Sequence, residues 1–522
     1  MTGEQDPRRW IALGVLCLSV LLISLDQTIL NVALPTLIGD LHPGTGSLPW
    51  IADGYTLTNG VLILFAAALG DRYGRRRIFL LGAAIFGAGS LACALSHDTD
   101  AVIAARTIMG LGAALLTPAT LSIITATFSG GERAKAIGLW AGVGGIGAAA
   151  GPLLGGFLLQ HFWWGSVFLI NVPVAAITVV AGILVIEESR APRRPRLDLP
   201  GVALSATGLG AITYGLITGP DDGWGSARVA GSLAGGAVLV AACVLWERRC
   251  AEPLIDMRLF RDRAFSSALG AVTAVFFAMF GVSYLLGQFI QFVQGASAFG
   301  VGLRFLPLAL ALLAGAALAA SFAPRHSLRA VMVAGMATGT GGLAVLALVP
   351  PGSGIMLLEV PLALIGLGIG TVIAPASNAV MSSLPPDAIG AGSGLRSMVQ
   401  LLGGSFGVAV LGSVATSRYR SEVHHAFHTT LAPLPPPARG PVASQIGQAI
   451  PVVKQLPPAL AQITDFTVKH AFASGLHLAA LAGAAFLVAA AITAAILVPH
   501  QSTAPAKGTD QPHPAKPSTD HA

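Results

Sequence analysis

Residues 10–35 read WIALGVLCLSVLLISLDQTILNVALP, an almost unbroken apolar run with a single carboxylate, Asp26, in its interior. A helix crosses a hydrocarbon core of about 30 Å with roughly 17–25 apolar residues, so the run reads as a membrane span. A carboxylate at that depth is costly unless it is paired, protonated or hydrated, and it therefore marks a functional position. The run is too long for a signal-peptide core and no small-residue cleavage site follows it. It is expected to stay as the first helix.

The composition repeats this reading across the whole chain. Of 522 residues, 54% are hydrophobic and only 10% charged, with a mean hydropathy of +0.74; soluble domains carry about 25% charged residues. So little charge cannot clothe a water-exposed surface. The net charge of +6 sits in short basic clusters between apolar runs, the pattern of topology selection and not of a nucleic-acid face. Cys17, Cys93, Cys243 and Cys250 form no CxxC pair or disulfide framework. No HExxH occurs, and no lysine follows a glycine as a phosphate-binding loop requires. Neither enzyme activity, ATP hydrolysis, a cofactor nor a metal is expected.

Hydropathy predicts fourteen spans, near residues 10–34, 49–69, 78–96, 101–124, 136–159, 166–186, 200–218, 229–246, 264–287, 301–322, 330–349, 355–380, 390–415 and 471–498. With the N-terminus inside, the inner loops collect Arg72, Arg75, Arg76, Arg77, Arg133, Lys135, Arg190, Arg248, Arg249, Arg258, Arg261 and Arg263, whereas the short outer loops hold only Arg228. This asymmetry predicts both termini in the cytoplasm. Gly110-Leu111-Gly112 with Pro118 in the fourth span is echoed by Gly366-Leu367-Gly368 with Pro375 in the twelfth, as in transporters built from repeated halves. The expected organisation is a six-helix bundle over 1–186, two inserted helices over 187–263, and a second six-helix bundle over 264–498. A long extracellular loop, 416–470, interrupts the last bundle, and 499–522 reads as a disordered cytoplasmic tail. In the loop, Val442, Ile446, Ile450 and Val453 have the spacing of a short amphipathic helix; Glu422, His424, His425 and His428 read as surface groups, with no second cluster to make a metal site.

Four segments carry more specific chemistry. In Ala67-Ala68-Leu69-Gly70-Asp71-Arg72-Tyr73-Gly74-Arg75-Arg76-Arg77, an acid at a helix end faces several arginines, a charge cluster able to latch one membrane side. Arg106 in Ala104-Ala105-Arg106-Thr107-Ile108-Met109-Gly110 is a guanidinium inside a span, which stays charged and needs partners. In Gly142–Gly156, Gly147, Gly151 and Gly155 recur every four residues and allow close helix approach, while Pro152 bends the span. The fourth is the first span itself, followed by Trp50-Ile51-Ala52-Asp53-Gly54-Tyr55.

These segments resemble the signature loop, the buried-arginine motif associated with proton coupling, the antiporter motif and the first-helix motif of the fourteen-span drug:proton antiporters of the major facilitator superfamily. Phe168-Leu169-Ile170-Asn171-Val172-Pro173 and Gly394-Leu395-Arg396 with Gly403-Gly404 extend the resemblance. The signature loop opens on Ala67 where the family usually has Gly, and Met109 stands where Gln is common. The resemblance implies an all-α integral membrane protein with the major facilitator fold, in a bacterial cytoplasmic membrane. It further implies export of lipophilic, chiefly cationic drugs or antiseptics in exchange for protons. Asp26, Asp53 and Glu359 would bind proton or cation, Arg106 would tune them, and Tyr284 and Gln288 would line the cavity. Asp71, Arg72, Gly74, Arg75 and Arg76 would gate it. The expected partners are lipophilic drug-like molecules, protons and membrane lipids, with no nucleic acid, and the expected state is a monomer. Two rivals are a dedicated exporter of one antibiotic or natural product and a non-transporting membrane sensor or scaffold.

Overall fold

The computed structural model describes residues 8–41, 48–190, 198–250, 257–322, 327–350, 352, 355–385 and 388–497. Among them there are helices and short connections but no strand. This is what a chain in hydrocarbon requires, since each helix satisfies its own backbone polar groups.

The first group comprises α1 (Arg8–Leu41), α2 (Leu48–Tyr73), α3 (Arg75–Ala94), α4 (Thr99–Thr127), α5 (Gly130–His161) and the pair α6 (Ser166–Leu169) and α7 (Asn171–Val185), which together make one span. Next come α8 (Leu199–Asp222) and α9 (Ala227–Glu247). The last group contains α10 (Arg263–Gln288), α11 (Ala298–Phe322), α12 (Leu328–Leu346), α13 (Ile355–Ser382), α14 (Ile389–Ala426), the short α15 (Pro436–Ser444) and α16 (Ile446–Val453), and α17 (Pro458–Leu497). Side-chain caps start several of them: Asp98 accepts from Ala101 N, Asp198 from Gly201 N and Asp262 from Ala264 N, each filling a backbone donor the first turn leaves open.

Thirteen helices of the described residues are long and apolar enough to cross a membrane. The remaining long helix, α2, has 26 residues but carries Asp53, Thr56, Thr58 and Asn59 in its N-terminal half, which lowers its hydropathy. It packs on α4, α8 and α14, with Asn59 buried among them.

In the first group α1 packs on α5 and α7, and α4 on α2 and α3. In the last group α14 packs on α10 and α17, and α13 on α11 and α12. The two groups meet along α5 with α11 and α13, and along α14 with α2 and α4. The α8–α9 hairpin leans on α2 and α14 at the edge of that seam, and Trp224 Nε1 donates to Ser413 Oγ at 2.7 Å to tie it there.

Helices α14 and α17, of 38 and 40 residues, run well past the predicted spans. At 1.5 Å per residue each is about 57–60 Å long, twice a hydrocarbon core. Much of 416–470 is therefore helical extension and not loop, because hydropathy registers only the lipid-facing part of a helix. The connecting α15 and α16 fold back onto these extensions, burying Val442, Ile446, Ala449 and Val453, and Tyr419 Oη donates to the Val442 carbonyl at 2.7 Å.

Candidate functional site

Asp26 faces the interior of the first helix group, wholly buried. Its Oδ2 lies 2.6 Å from Nη1 of Arg106, itself buried on α4. Asn171 Nδ2, at the start of α7, donates to Asp26 Oδ1 at 3.3 Å and to Ser90 Oγ at 3.1 Å, and the Ser90 hydroxyl donates to the Phe168 carbonyl at 2.8 Å. Arg106 Nε donates to the Ile51 carbonyl at 3.2 Å. The guanidinium stacks 4.5 Å from the Tyr55 ring centre and 5.9 Å from that of Phe168. A buried ion pair persists only when its remaining lone pairs and protons are met, and here an amide, a carbonyl and two aromatic faces meet them.

The glycines of α5 set how closely α1, and with it Asp26, approaches. A Cβ at Gly151 would lie 1.9 Å from Thr28 Oγ1, and one at Gly147 would lie 2.9 Å from the Leu21 carbonyl. Gly155 is buried on the same helix, and Pro152 stands inside it. The adjoining face of α5 meets the last helix group: a Cβ at Gly142 would press on Leu313, at Gly145 on Leu312 and at Gly156 on Phe299. One small-residue helix thus contacts the acid-bearing helix on one side and the opposite group on the other.

At the other end of α2, Asp71 and Arg75 form a second buried pair, 2.8 Å apart. Asp71 also accepts the backbone N–H groups of Gly390 and Ala391, so the carboxylate of one group caps the first turn of α14 in the other, where the helix dipole favours an anion. Only glycine fits at Gly390, whose Cβ would fall 2.0 Å from Asp71 Oδ2. Nearby, Ser122 and Ser393 join α4 to α14 through a 2.6 Å hydroxyl contact. Gly74 turns the chain at φ 118°, a region costly for other residues, and Arg76 N donates to Glu188 Oε1 at 3.2 Å. Of the predicted basic cluster, Arg75 pairs with Asp71, Arg72 stacks on Tyr73 and Arg76 reaches the end of α7.

Asp53 belongs to α2, but its side chain falls outside the described residues. Glu359 is half-buried on α13. Tyr284 is half-exposed on α10, 3.8 Å from the Cβ that Gly412 lacks, and Gln288 ends that helix where a π-helical turn, Phe289–Val293, begins. These three sit in the last helix group, whereas every member of the Asp26 network comes from the first.

Asn171, Ser90, Tyr55 and the Ile51 carbonyl were not singled out as site residues by sequence reading. Asn171 and Ser90 are polar positions within apolar spans, a signal of the same kind as Asp26. A backbone carbonyl gives none. Arg396, buried at 1% exposure on α14, carried the same signal as Arg106. Among the described residues, no group of three His, Cys, Asp or Glu side chains is arranged to hold a metal.

The Major Facilitator Superfamily profile matches residues 16–408. The chain is 34% identical over 494 residues to the tetracenomycin C resistance and export protein of Streptomyces glaucescens, covering 93% of this chain and 91% of that one. It is likewise 34% identical over 493 residues to the multidrug efflux pump LfrA of Mycolicibacterium smegmatis, covering 94% and 96%. The crystal structure of the human organic anion transporter MFSD10 superposes with a TM-score of 0.61 at 15% identity, over 94% of this chain and all of that one; this likeness concerns the fold alone. A helical, multi-pass membrane chain with this match and these relatives is a member of the Major Facilitator Superfamily, a transporter and not an enzyme.

Proposed function

We propose that the protein exports lipophilic small molecules, cationic drugs among them, from the bacterial cytoplasm in exchange for protons. The observation that carries this reading is the Asp26–Arg106 pair, 2.6 Å apart and sealed inside the bundle. Sealed from water, Asp26 can exchange Arg106 for a proton or a cation only when one side of the bundle opens. When the outer side opens, a proton takes the place of Arg106 on the carboxylate, and the guanidinium keeps its Tyr55 ring and Ile51 carbonyl. When the inner side opens, the proton leaves, and cationic cargo competes with Arg106 for the freed anion. Cargo and proton then occupy Asp26 in alternation; exchange of one monovalent cation per proton moves no net charge and is driven by the pH gradient, about 1.4 kcal/mol per pH unit.

In this reading the Asp71 end is cytoplasmic, as the distribution of arginines favours, and both termini lie there. The Asp71–Gly390 contact and the Ser122–Ser393 contact hold that side shut and part during loading. Asp53 and Glu359 serve as additional acids, and Tyr284 and Gln288 as cavity wall. A narrower cargo range is the second reading, favoured by the relative named for tetracenomycin C export; the relative named for multidrug efflux favours the broader one.

The test uses everted membrane vesicles with an inward-acid pH gradient. Adding tetraphenylphosphonium should discharge the gradient in vesicles carrying the natural chain and not in those carrying Asp26→Asn. Equal discharge by both would remove Asp26 from the mechanism, and no discharge by either would reject proton-coupled export of this cation.

A further inference from the structure

The second fully buried arginine has no acid beside it among the described residues. Arg396 lies seven residues into α14, about 10 Å from the Asp71 end, and is 1% exposed. Its Nε donates to Ser377 Oγ on α13 at 3.1 Å, and its Nη1 donates to Gln400 Oε1 on its own helix. Its guanidinium carbon stands 5.1 Å from the ring centre of Trp140 on α5 and 5.9 Å from that of Phe276 on α10. Among the described residues no carboxylate pairs with it, and its donations there go to a hydroxyl and an amide oxygen alone. Arg106, equally buried, has Asp26.

A second observation points the same way. The Trp140 indole is 5% exposed, and its Nε1–H is buried without an acceptor among the described residues. A guanidinium with no carboxylate partner and an orphan indole N–H thus sit side by side, among the described residues, with a shortage of acceptors and of negative charge. Both conditions are expensive inside a protein. One kind of occupant relieves both, an anionic oxygen attached to an aromatic body: the oxygen accepts from guanidinium and indole, and the body lies against Trp140 and Phe276.

The location suits loading. Trp140 belongs to the first helix group, whereas Arg396, Ser377 and Gln400 belong to the last, so the seam that parts when the Asp71 end opens runs between them. We infer that Arg396 with Trp140 forms a cargo subsite for aromatic carboxylates and phenolates, reached from the cytoplasm and separate from Asp26. The inference rests on the export reading above. It extends the cargo range to aromatic anions and zwitterions, with the cationic part of a zwitterion left for the carboxylates.

The experiment uses the full chain in proteoliposomes under an imposed pH gradient, with two probes, anthraquinone-2-carboxylate and tetraphenylphosphonium. The measured quantity is the ratio of their initial transport rates. Arg396→Gln should lower the anion-to-cation ratio about tenfold, the worth of one charge-assisted hydrogen bond. Arg396→Lys should fall between, and Trp140→Phe, which keeps the ring and deletes the N–H, should shift the ratio in the same direction by a smaller factor. Should Arg396→Gln fail to assemble, Trp140→Phe carries the test alone. A ratio unchanged while both rates fall would overturn the subsite and leave Arg396 as a latch between the groups. Transport of tetraphenylphosphonium but not of anthraquinone-2-carboxylate by the natural chain would overturn it while sparing the export reading. Transport of neither would end both.

Discussion

Removing one member of the Asp26–Arg106 pair should cost more than removing both. The charged atoms are 2.6 Å apart on side chains 0% and 2% exposed, and unit charges about 4 Å apart attract by roughly 4 kcal/mol at an effective dielectric of 20. Desolvation offsets most of that gain, so the pair as a whole contributes little. Asp26→Asn, however, leaves a guanidinium in the bundle with only a carbonyl, an amide and two rings around it. Breaking a buried pair in this way typically costs about 3–5 kcal/mol, whereas replacing both partners by apolar groups is often neutral. The expected order of thermal stability in detergent, read by fluorescence-detected size exclusion, places natural chain and Asp26→Leu/Arg106→Met together, with Asp26→Asn and Arg106→Met each clearly below. The double variant should fold yet fail to couple a pH gradient to export, which separates stability from mechanism. A double variant whose loss equals the sum of the two single losses would show that the charges do not interact, and the mechanism built on their competition would go with it.

Gly151→Ala brings a methyl to 1.9 Å from Thr28 Oγ1, 3.0 Å from Thr28 Cβ and 3.1 Å from Ile29 N, so it should destabilise by about 1–3 kcal/mol and slow export. Thr28→Ala should restore part of both, and an unaffected Gly151→Ala would mean that α1 yields easily. Ser122→Cys with Ser393→Cys replaces hydroxyls 2.6 Å apart. In a background lacking Cys17, Cys93, Cys243 and Cys250, oxidation should lock the Asp71 end and stop export until a reductant is added; a crosslinked protein still running at full rate would contradict alternating access through that seam. Gly74→Ala sets a side chain at φ 118° and 2.5 Å from a Glu188 oxygen, a strain of about 1–3 kcal/mol that should show as a lowered unfolding temperature. An unshifted temperature would argue that the α2–α3 turn is not strained by a methyl group.

Fold class was legible because hydrocarbon imposes a one-dimensional rule: apolar runs of a certain length must be helices, wherever they sit. The same rule predicted the α2 span at 49–69 but fell short at α14 and α17, whose extensions past a hydrocarbon thickness carry no hydropathy signal. Asp26, Arg106 and Asp71 stood out individually since each charge sits where charge is costly. Their partners did not stand out in the same way. Asp71 was read as facing several arginines, yet it takes Arg75 and the first turn of α14, more than three hundred residues away.

By itself, the sequence determined the membrane solvent, the helical spans and the places where isolated charges demand an explanation, because solvation energy is a property of each segment alone. Only the tertiary structure decided which charges cancel. It matched Asp26 to Arg106 across two helices and left Arg396 beside an indole, with no acid to face among the described residues. Pairing is a matter of a few ångströms between helices distant in the chain, and no local pattern encodes that distance.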